Sequence, residues 1–161
     1  MIVIGIDPGT ATTGYGLIFE NERADLEIIE YGVILTEKNL PLEERLLILN
    51  EKLEEIITLH RPDESAVERL FYQKNVTNAL SIGHARGVII FTFAKKKIPV
   101  YEYAPLEIKQ AVVGYGAAEK KQVQSMVKAI LDLQEIPKPD DAADALAVAI
   151  CHQHSRRIKC L

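Results

Sequence analysis

The chain has 161 residues, of which 48% are hydrophobic and 26% charged, and its formal net charge is −4. This length supports one hydrophobic core and is too short for two domains that each have a stable core, so we expect a single domain over residues 1–161. The β-branched start has no basic leader, and the longest apolar stretch, residues 87–94, is too short to cross a bilayer, which argues against a secreted or membrane-spanning protein.

The first third of the chain predicts three short strands. β-branched and apolar runs cover residues 2–6, 14–19 and 26–35, and short polar segments join them. Residues 8–10 and 21–22 are predicted to form turns, because they contain proline, glycine and asparagine. Tight connections pair consecutive strands antiparallel, so the sheet is expected to begin as an antiparallel meander.

The rest of the chain alternates helical and strand patterns. Apolar residues at three- and four-residue spacing predict an amphipathic helix over residues 41–60. There follow a strand near 65–70, a helix near 75–94, a strand near 98–103, and helices over 105–113, 120–131 and 140–154, with a flexible tail after about 155. This order predicts an α/β domain with a mixed sheet and helices on its faces.

Charge is segregated along the chain. Residues 1–62 carry twelve acidic and five basic side chains, whereas residues 69–128 carry ten basic and three acidic ones. The overall net charge argues weakly against a nucleic-acid partner, but the basic stretch supplies the Lys and Arg that phosphate binding requires. Chance clustering on solvated helix faces explains the same pattern, so both interpretations stay open.

Four acidic residues stand near the ends of predicted elements: Asp7, Glu68, Asp141 and Asp144. Each has an ordinary explanation, because Asp7 can form a turn, Glu68 can face outward from a strand, and first-turn acids can cap a helix. If the last helix packs beside the two strands, the same carboxylates become hard oxygen ligands suited to Mg²⁺ or Mn²⁺. Two such ions roughly 4 Å apart support phosphodiester hydrolysis.

A series of short motifs follows in order along nearly the whole chain. They are Gly5-Ile-Asp-Pro-Gly-Thr10, Gly14-Tyr-Gly16, Glu68-Arg-Leu-Phe-Tyr-Gln-Lys-Asn75, Ala85-Arg-Gly87, Tyr103-Ala104, Lys109-Gln-Ala-Val-Val-Gly114, Ala118-Glu-Lys120 and Asp141-Ala-Ala-Asp-Ala-Leu146. In this order and spacing the chain resembles the RuvC-type Holliday-junction resolvases. The combined match is far more specific than any single motif in it.

The resemblance implies a ribonuclease H-like fold, with a mixed five-stranded sheet whose first three strands are antiparallel and with helices on both faces. It implies a homodimer that nicks two strands of like polarity symmetrically across a four-way DNA junction, in recombination and repair. Its catalytic, metal-binding carboxylates would be Asp7, Glu68, Asp141 and Asp144, holding two Mg²⁺ that Mn²⁺ can replace. The family motif selects Asp141 and places Asp140 one position outside it.

The resemblance also implies a DNA surface and partners. Lys109 and Lys120 match lysines that lie near the DNA backbone, and Phe71 matches an aromatic that contacts bases at the crossover. Further expected DNA contacts are Arg69, Lys74 and Lys121. Partners would be a second copy of the chain and a branch-migration helicase complex of the RuvA and RuvB type. For the homodimer contact we expect the helix over 75–94, through Val76, Ala79, Leu80, Gly83, Gly87, Val88 and Ile89.

Several alternatives stay open at this point. A ribosomal-RNA-processing nuclease of the same fold would share the carboxylates, and a binding protein without catalysis would use them only as caps and turns. The segment 5–16 also resembles the phosphate-binding hairpin of actin-like ATPases and sugar kinases, although those proteins have two such domains.

The C-terminal cysteines bear on localisation and on metal binding. Cys151 and Cys160 are too few for a disulfide scaffold, so a reducing cytoplasm is expected. A zinc site formed with His152 and His154 is disfavoured, because no paired Cys-x-x-Cys knuckle is present.

Overall fold

A computed structural model describes residues 1–69 and 76–159, with the side chains of 76–78 and 158–159 excepted. The chain forms five strands and five helices in the described residues. The strands are β1 (Ile2–Asp7), β2 (Thr12–Glu20), β3 (Leu26–Leu35), β4 (Glu64–Glu68) and β5 (Val100–Tyr103). The helices are α1 (Leu42–His60), α2 (Val76–Lys95), α3 (Pro105–Val113), α4 (Lys120–Ile130) and α5 (Asp140–Lys159).

The five strands form one mixed sheet in the order β3-β2-β1-β4-β5. β1, β2 and β3 pair antiparallel through short turns, whereas β4 pairs parallel with both β1 and β5. The parallel pairs follow from the helical crossovers, because α1 precedes β4 and α2 precedes β5. The predicted ribonuclease H-like fold, with a mixed sheet that begins antiparallel, is confirmed.

The helices cover both faces of the sheet and create two hydrophobic layers. On one face, α1 and α2 pack Leu53, Ile89 and Phe93 over the apolar side chains of β1 and β2. On the other face, α3, α4 and α5 form the second layer. None of the helices in the described part of the chain is long and apolar enough to span a membrane.

The last helix packs very closely on the sheet because glycines lie beneath it. A Cβ atom built at Gly5 would overlap the backbone at Ala145 and Ala149, and one at Gly14 would overlap the carbonyl of Asp141. Only a residue without a side chain permits this approach. The close contact brings the N-terminal turns of α5 to the strands that carry Asp7 and Glu68.

Two expectations about the helices are wrong. α5 continues to Lys159, five residues beyond the predicted end of the helix at His154. Arg157 anchors the last turns, since it contacts Glu20 and the carbonyl of Ala24. Within α2, Ile89 is completely buried in the protein's own core, so it is not a surface contact for a second copy, whereas Val88 is only partly buried against that core.

Candidate active site

Two neighbouring strands deliver carboxylates to the same edge of the sheet. β1 and β4 run parallel with Ile6 opposite Val67, so the next residues, Asp7 and Glu68, end side by side. Their side chains hydrogen-bond to each other. Gly14 pairs with Asp7 across the β1–β2 ladder and lies under the backbone of Asp141, which places the first turn of α5 at this edge as well.

The fold buries the carboxyl groups of Asp7 and Glu68 next to each other, and this environment disfavours a negative charge on both. Burial, the neighbouring charge of Glu68 and the hydrogen bond to it raise the pKa of Asp7 to about 8, with smaller contributions from Asp144 and Asp141. Burial also raises the pKa of Glu68, although its hydrogen bond with Asp7 acts in the opposite direction. The two carboxyl groups therefore titrate as a pair, and this environment favours one proton shared between them.

Lys120, the first residue of α4, neutralises part of the acidic group. Its Nζ lies 2.8 Å from Oδ2 of Asp144 and 3.4 Å from Oδ2 of Asp140. Burial raises the pKa of Asp144 despite the lysine beside it. Burial alone would lower the pKa of Lys120, but its bonds to Asp144 and Asp140 and their charges raise it, so the ammonium stays charged.

A cavity of about 270 Å³ opens beside these groups. Glu68 and Asp144 line it together with Lys109 and Lys120, and Pro105, Ile108, Val123 and Ala147 form its apolar wall. Apolar walls around a few converging charged groups are typical of a reaction site. The cavity thus contacts two of the four carboxylates that the sequence singled out, together with Lys109 and Lys120.

The donor chemistry of this edge fits a divalent cation. The available ligands are carboxylate oxygens, which Mg²⁺ and Mn²⁺ prefer, and a buried acidic pair that shares a proton is the kind of site a cation would stabilise. In the described residues, no three Asp, Glu, His or Cys side chains are already gathered as a metal site. Cation binding would therefore have to exchange the Asp7–Glu68 and Asp144–Lys120 bonds for bonds to the ion.

The other predicted residues are distributed differently. Arg69 is about half exposed; its guanidinium donates to the carbonyl of Glu102 and lies 3.8 Å from Glu107. Lys121 is exposed on α4. Phe71 and Lys74 lie outside the described residues.

The described basic side chains of the stretch 69–128 do not form one continuous surface. Lys109 and Lys120 line the cavity, whereas Lys95 and Lys96 contact Glu54 of α1, on the opposite face of the sheet. The reason is the chain path, because α2 crosses one face and α3 and α4 cover the other.

The tail residues considered for zinc have other partners. His152 is buried and contacts the Tyr103 hydroxyl and Glu64, and His154 contacts the carbonyl of Ala111. Cys151 is a buried thiol whose pKa burial raises to about 12, which disfavours the thiolate that zinc needs. Cys160 lies outside the described residues.

Sequence reasoning missed the contact of Asp140 with Lys120 and the role of Gly14. The family motif places Asp140 one position outside the acidic site, and only the fold shows that Asp140 shares a lysine with Asp144. Gly14 belongs to one of the motifs, but its close contact with α5 depends on which helix packs against it in the fold.

Comparisons with known proteins identify the family of this chain. Residues 3–152 match the family model described as crossover junction endodeoxyribonuclease RuvC. The chain is 52% identical over 161 residues to the crossover junction endodeoxyribonuclease RuvC of Ruminiclostridium cellulolyticum, covering 100% of this chain and 96% of that protein. It is 55% identical over 158 residues to the protein of the same name from Syntrophomonas wolfei, covering 98% and 91%.

A solved structure supports the same assignment. T. thermophilus RuvC in complex with Holliday junction substrate superposes with a TM-score of 0.94 at 34% identity, over 99% of this chain and 96% of that one. The family match thus extends over nearly the full length and includes both strands, the helix and the cavity that form the acidic site. The chain belongs to the RuvC family of crossover junction endodeoxyribonucleases.

Proposed function

We propose that this chain is a metal-dependent endonuclease that resolves four-way DNA junctions in the cytoplasm, with residues 1–161 forming one nuclease domain. The observation that carries the proposal is the convergence of Asp7, Glu68 and Asp144 with Lys109 and Lys120 at one edge of the sheet. Similarity to a RuvC protein that was solved with Holliday junction substrate supports the choice of DNA substrate.

Asp7, Glu68, Asp141 and Asp144 are proposed to hold two Mg²⁺, or Mn²⁺ in their place. When bound, such ions would activate a water on one side of the scissile phosphate and stabilise the leaving oxygen on the other. The protein contributes orientation: β1 and β4 fix Asp7 and Glu68, while the glycine contact under α5 fixes Asp141 and Asp144. Losing the shared proton prepares Asp7 and Glu68 to act together as ligands.

Lys109 and Lys120 are proposed to face the scissile phosphate. Both line the cavity, and an ammonium close to a phosphate offsets the charge that develops in the transition state. Lys121 and Lys74 are proposed to bind the DNA backbone beyond the site. Phe71 is proposed to stack on bases at the crossover.

Arg69 is proposed as a further DNA contact. Its guanidinium already contacts the carbonyl of Glu102 and the carboxylate of Glu107. About half of its side chain is exposed, so one face is free to approach a phosphate while the other keeps these contacts.

Symmetrical cleavage requires a homodimer, because each chain carries one acidic site and a junction presents two related strands. On α2, Leu80 and Phe91 are 62% and 63% exposed, and a Cβ atom at Gly87 would meet only open space. These positions repeat on one side of the helix, so we propose this stripe as the contact for a second copy. A branch-migration complex of the RuvA and RuvB type is the proposed further partner.

Sedimentation at micromolar concentration tests the assembly. The unmutated protein should have twice the 18.0 kDa mass of the chain, and Leu80→Glu should give a folded monomer. Ser125→Glu, at an exposed position of α4, is the matched control and should remain dimeric. Monomer mass for the unmutated protein, free and on a junction, would contradict symmetrical cleavage.

The function is tested by incubating the protein separately with labelled four-way junction, linear duplex, structured ribosomal RNA and ATP, each with and without Mg²⁺. We expect paired nicks in the junction only, and only with Mg²⁺. Preferred RNA cleavage would indicate the ribosomal-RNA-processing alternative, and ATP hydrolysis would indicate the phosphate-binding alternative.

A further inference from the structure

Lys120 is shared between two carboxylates that differ in their surroundings. Asp144 lines the cavity and its side chain is 27% exposed, whereas the side chain of Asp140 is 65% exposed at the start of α5. The two acids stand four residues apart on the helix, so they lie on one side of it, one turn from each other. The Lys120 ammonium bridges this turn, at 2.8 Å from Asp144 and 3.4 Å from Asp140.

This arrangement creates a competition at Asp144. The oxygen that Lys120 contacts, Oδ2, belongs to a carboxylate that a divalent cation would also need. A cation that binds Asp144 must therefore weaken or replace the bond to Lys120. Without a second partner, the ammonium would return to solvent and lose its place beside the cavity.

We propose that Asp140 is a positioning residue that retains Lys120 at the cavity edge when Asp144 exchanges its lysine for a metal ion. The inference rests on the proposed function, since it takes Asp144 as a metal ligand. Asp140 thereby has two effects: it makes metal binding less costly, because Lys120 keeps one ion pair, and it holds the ammonium where a phosphate would lie.

Two simpler roles for Asp140 must be separated from this one. A carboxylate in the first turn stabilises a helix through its dipole, and any nearby negative charge attracts a cation. Neither effect depends on Lys120. A role that acts through Lys120 disappears when the lysine is removed, and a double-mutant cycle measures this dependence directly.

The experiment is a calorimetric titration of metal-free protein with MgCl₂, without DNA, on four proteins: unmutated, Asp140→Asn, Lys120→Met and the double variant. In the presence of Lys120, Asp140→Asn should weaken Mg²⁺ binding by about two- to five-fold, the range of one exposed ion pair. In the Lys120→Met background the same substitution should leave the affinity unchanged. Asp140→Glu should restore most of the lost affinity.

An equal effect of Asp140→Asn in both backgrounds would overturn the inference, because Asp140 would then act only as a helix-end or long-range charge. Asp144→Asn is the reference that keeps this failure distinct from failure of the proposed function. If Asp144→Asn binds Mg²⁺ as the unmutated protein does, the metal assignment itself is wrong. If Asp144→Asn loses binding and the cycle is additive, only the role of Asp140 is wrong. Melting curves confirm that each variant is folded.

Discussion

Acidic side chains on the two faces of the sheet have pKa values that are shifted in opposite directions. On the α1–α2 face, Glu54 contacts Lys95 and Lys96 at 2.9 and 3.1 Å, and hydrogen bonds from these lysines lower its pKa to about 2. On the α5 face, burial and the adjacent Glu68 raise the pKa of Asp7 to about 8. The two lysines stabilise the ionised form of Glu54, whereas the surroundings of Asp7 disfavour its ionised form.

This difference distinguishes the ion pairs of the α1–α2 face, which hold helices together, from the acidic edge at α5, where we expect a ligand to bind. Glu54 links α1 to α2, and Asn50 accepts a hydrogen bond from the buried Thr92 hydroxyl between the same helices. These contacts are complete within the protein and do not require a bound ligand. The acidic edge is a place where the fold tolerates unfavourable electrostatics, as active sites commonly do.

The largest expected effect is on cleavage by Asp7→Asn. The amide cannot replace a carboxylate ligand, so single-turnover cleavage of a four-way junction should fall by at least about a thousand-fold, while junction affinity stays within about three-fold. Glu54→Gln, the matched acid-to-amide change on the other face, should leave cleavage unchanged. Wild-type cleavage by Asp7→Asn in Mg²⁺ would remove Asp7 from the site.

The second effect concerns the close contact under α5. An alanine at Gly14 would overlap the backbone of Asp141, so α5 must move; we expect a loss of about 1–3 kcal/mol in unfolding free energy and up to about a hundred-fold slower cleavage. Gly16→Ala is the comparison, because its Cβ would meet the side chain of Leu146 at 2.6 Å.

Gly16→Ala should cost stability but affect cleavage less, since its added Cβ would meet mainly the side chain of Leu146, with the Leu146 Cα 3.1 Å away, and not the backbone of Asp141. Chemical denaturation and single-turnover kinetics on both variants give the two quantities. Equal slowing by the two substitutions would show that the position of Asp141 is not the controlling feature.

The third effect is on stability as a function of pH in metal-free buffer. Because folding raises the pKa of Asp7, folding is penalised progressively as pH rises from about 4 to about 8, and fully above that. Asp7→Asn removes this penalty, so the variant should melt higher than the unmutated protein, by roughly 2–4 °C for each kcal/mol. The gap should widen from pH 5 to pH 8.

Glu54→Gln should show the opposite sign. Its lowered pKa means that the ionised carboxylate stabilises the fold above about pH 4.5 and loses this contribution as pH falls toward 2. The variant should therefore melt slightly lower at neutral pH. A constant gap for Asp7→Asn across the pH range would show that Asp7 does not hold a shifted proton.

The smallest effect is on the salt dependence of junction binding. Lys109 lines the cavity, so Lys109→Ala should reduce the slope of log affinity against log salt by about one. Lys95, which contacts Glu54 on the other face, is the matched control, and Lys95→Ala should leave the slope unchanged. Equal slopes for both variants would place Lys109 outside the phosphate contacts.

Much of this architecture could be predicted from the sequence, because local patterns specify it. The apolar periods and turn residues predicted every strand and helix to within a few residues, and the motif order identified the family. The main error was the end of α5, since its last turns depend on the contact of Arg157 with Glu20, 137 residues earlier.

Other features were decided only by the tertiary structure. Composition and motifs named Asp7, Glu68, Asp141 and Asp144 but left turns, strand faces and caps as alternatives. Parallel pairing of β1 with β4 brings two of these acids side by side, and the close packing of α5 on glycine brings the others. The sequence by itself determined which ionisable groups are available. Proximity and burial, which set their pKa values and partners, exist only once distant segments pack together.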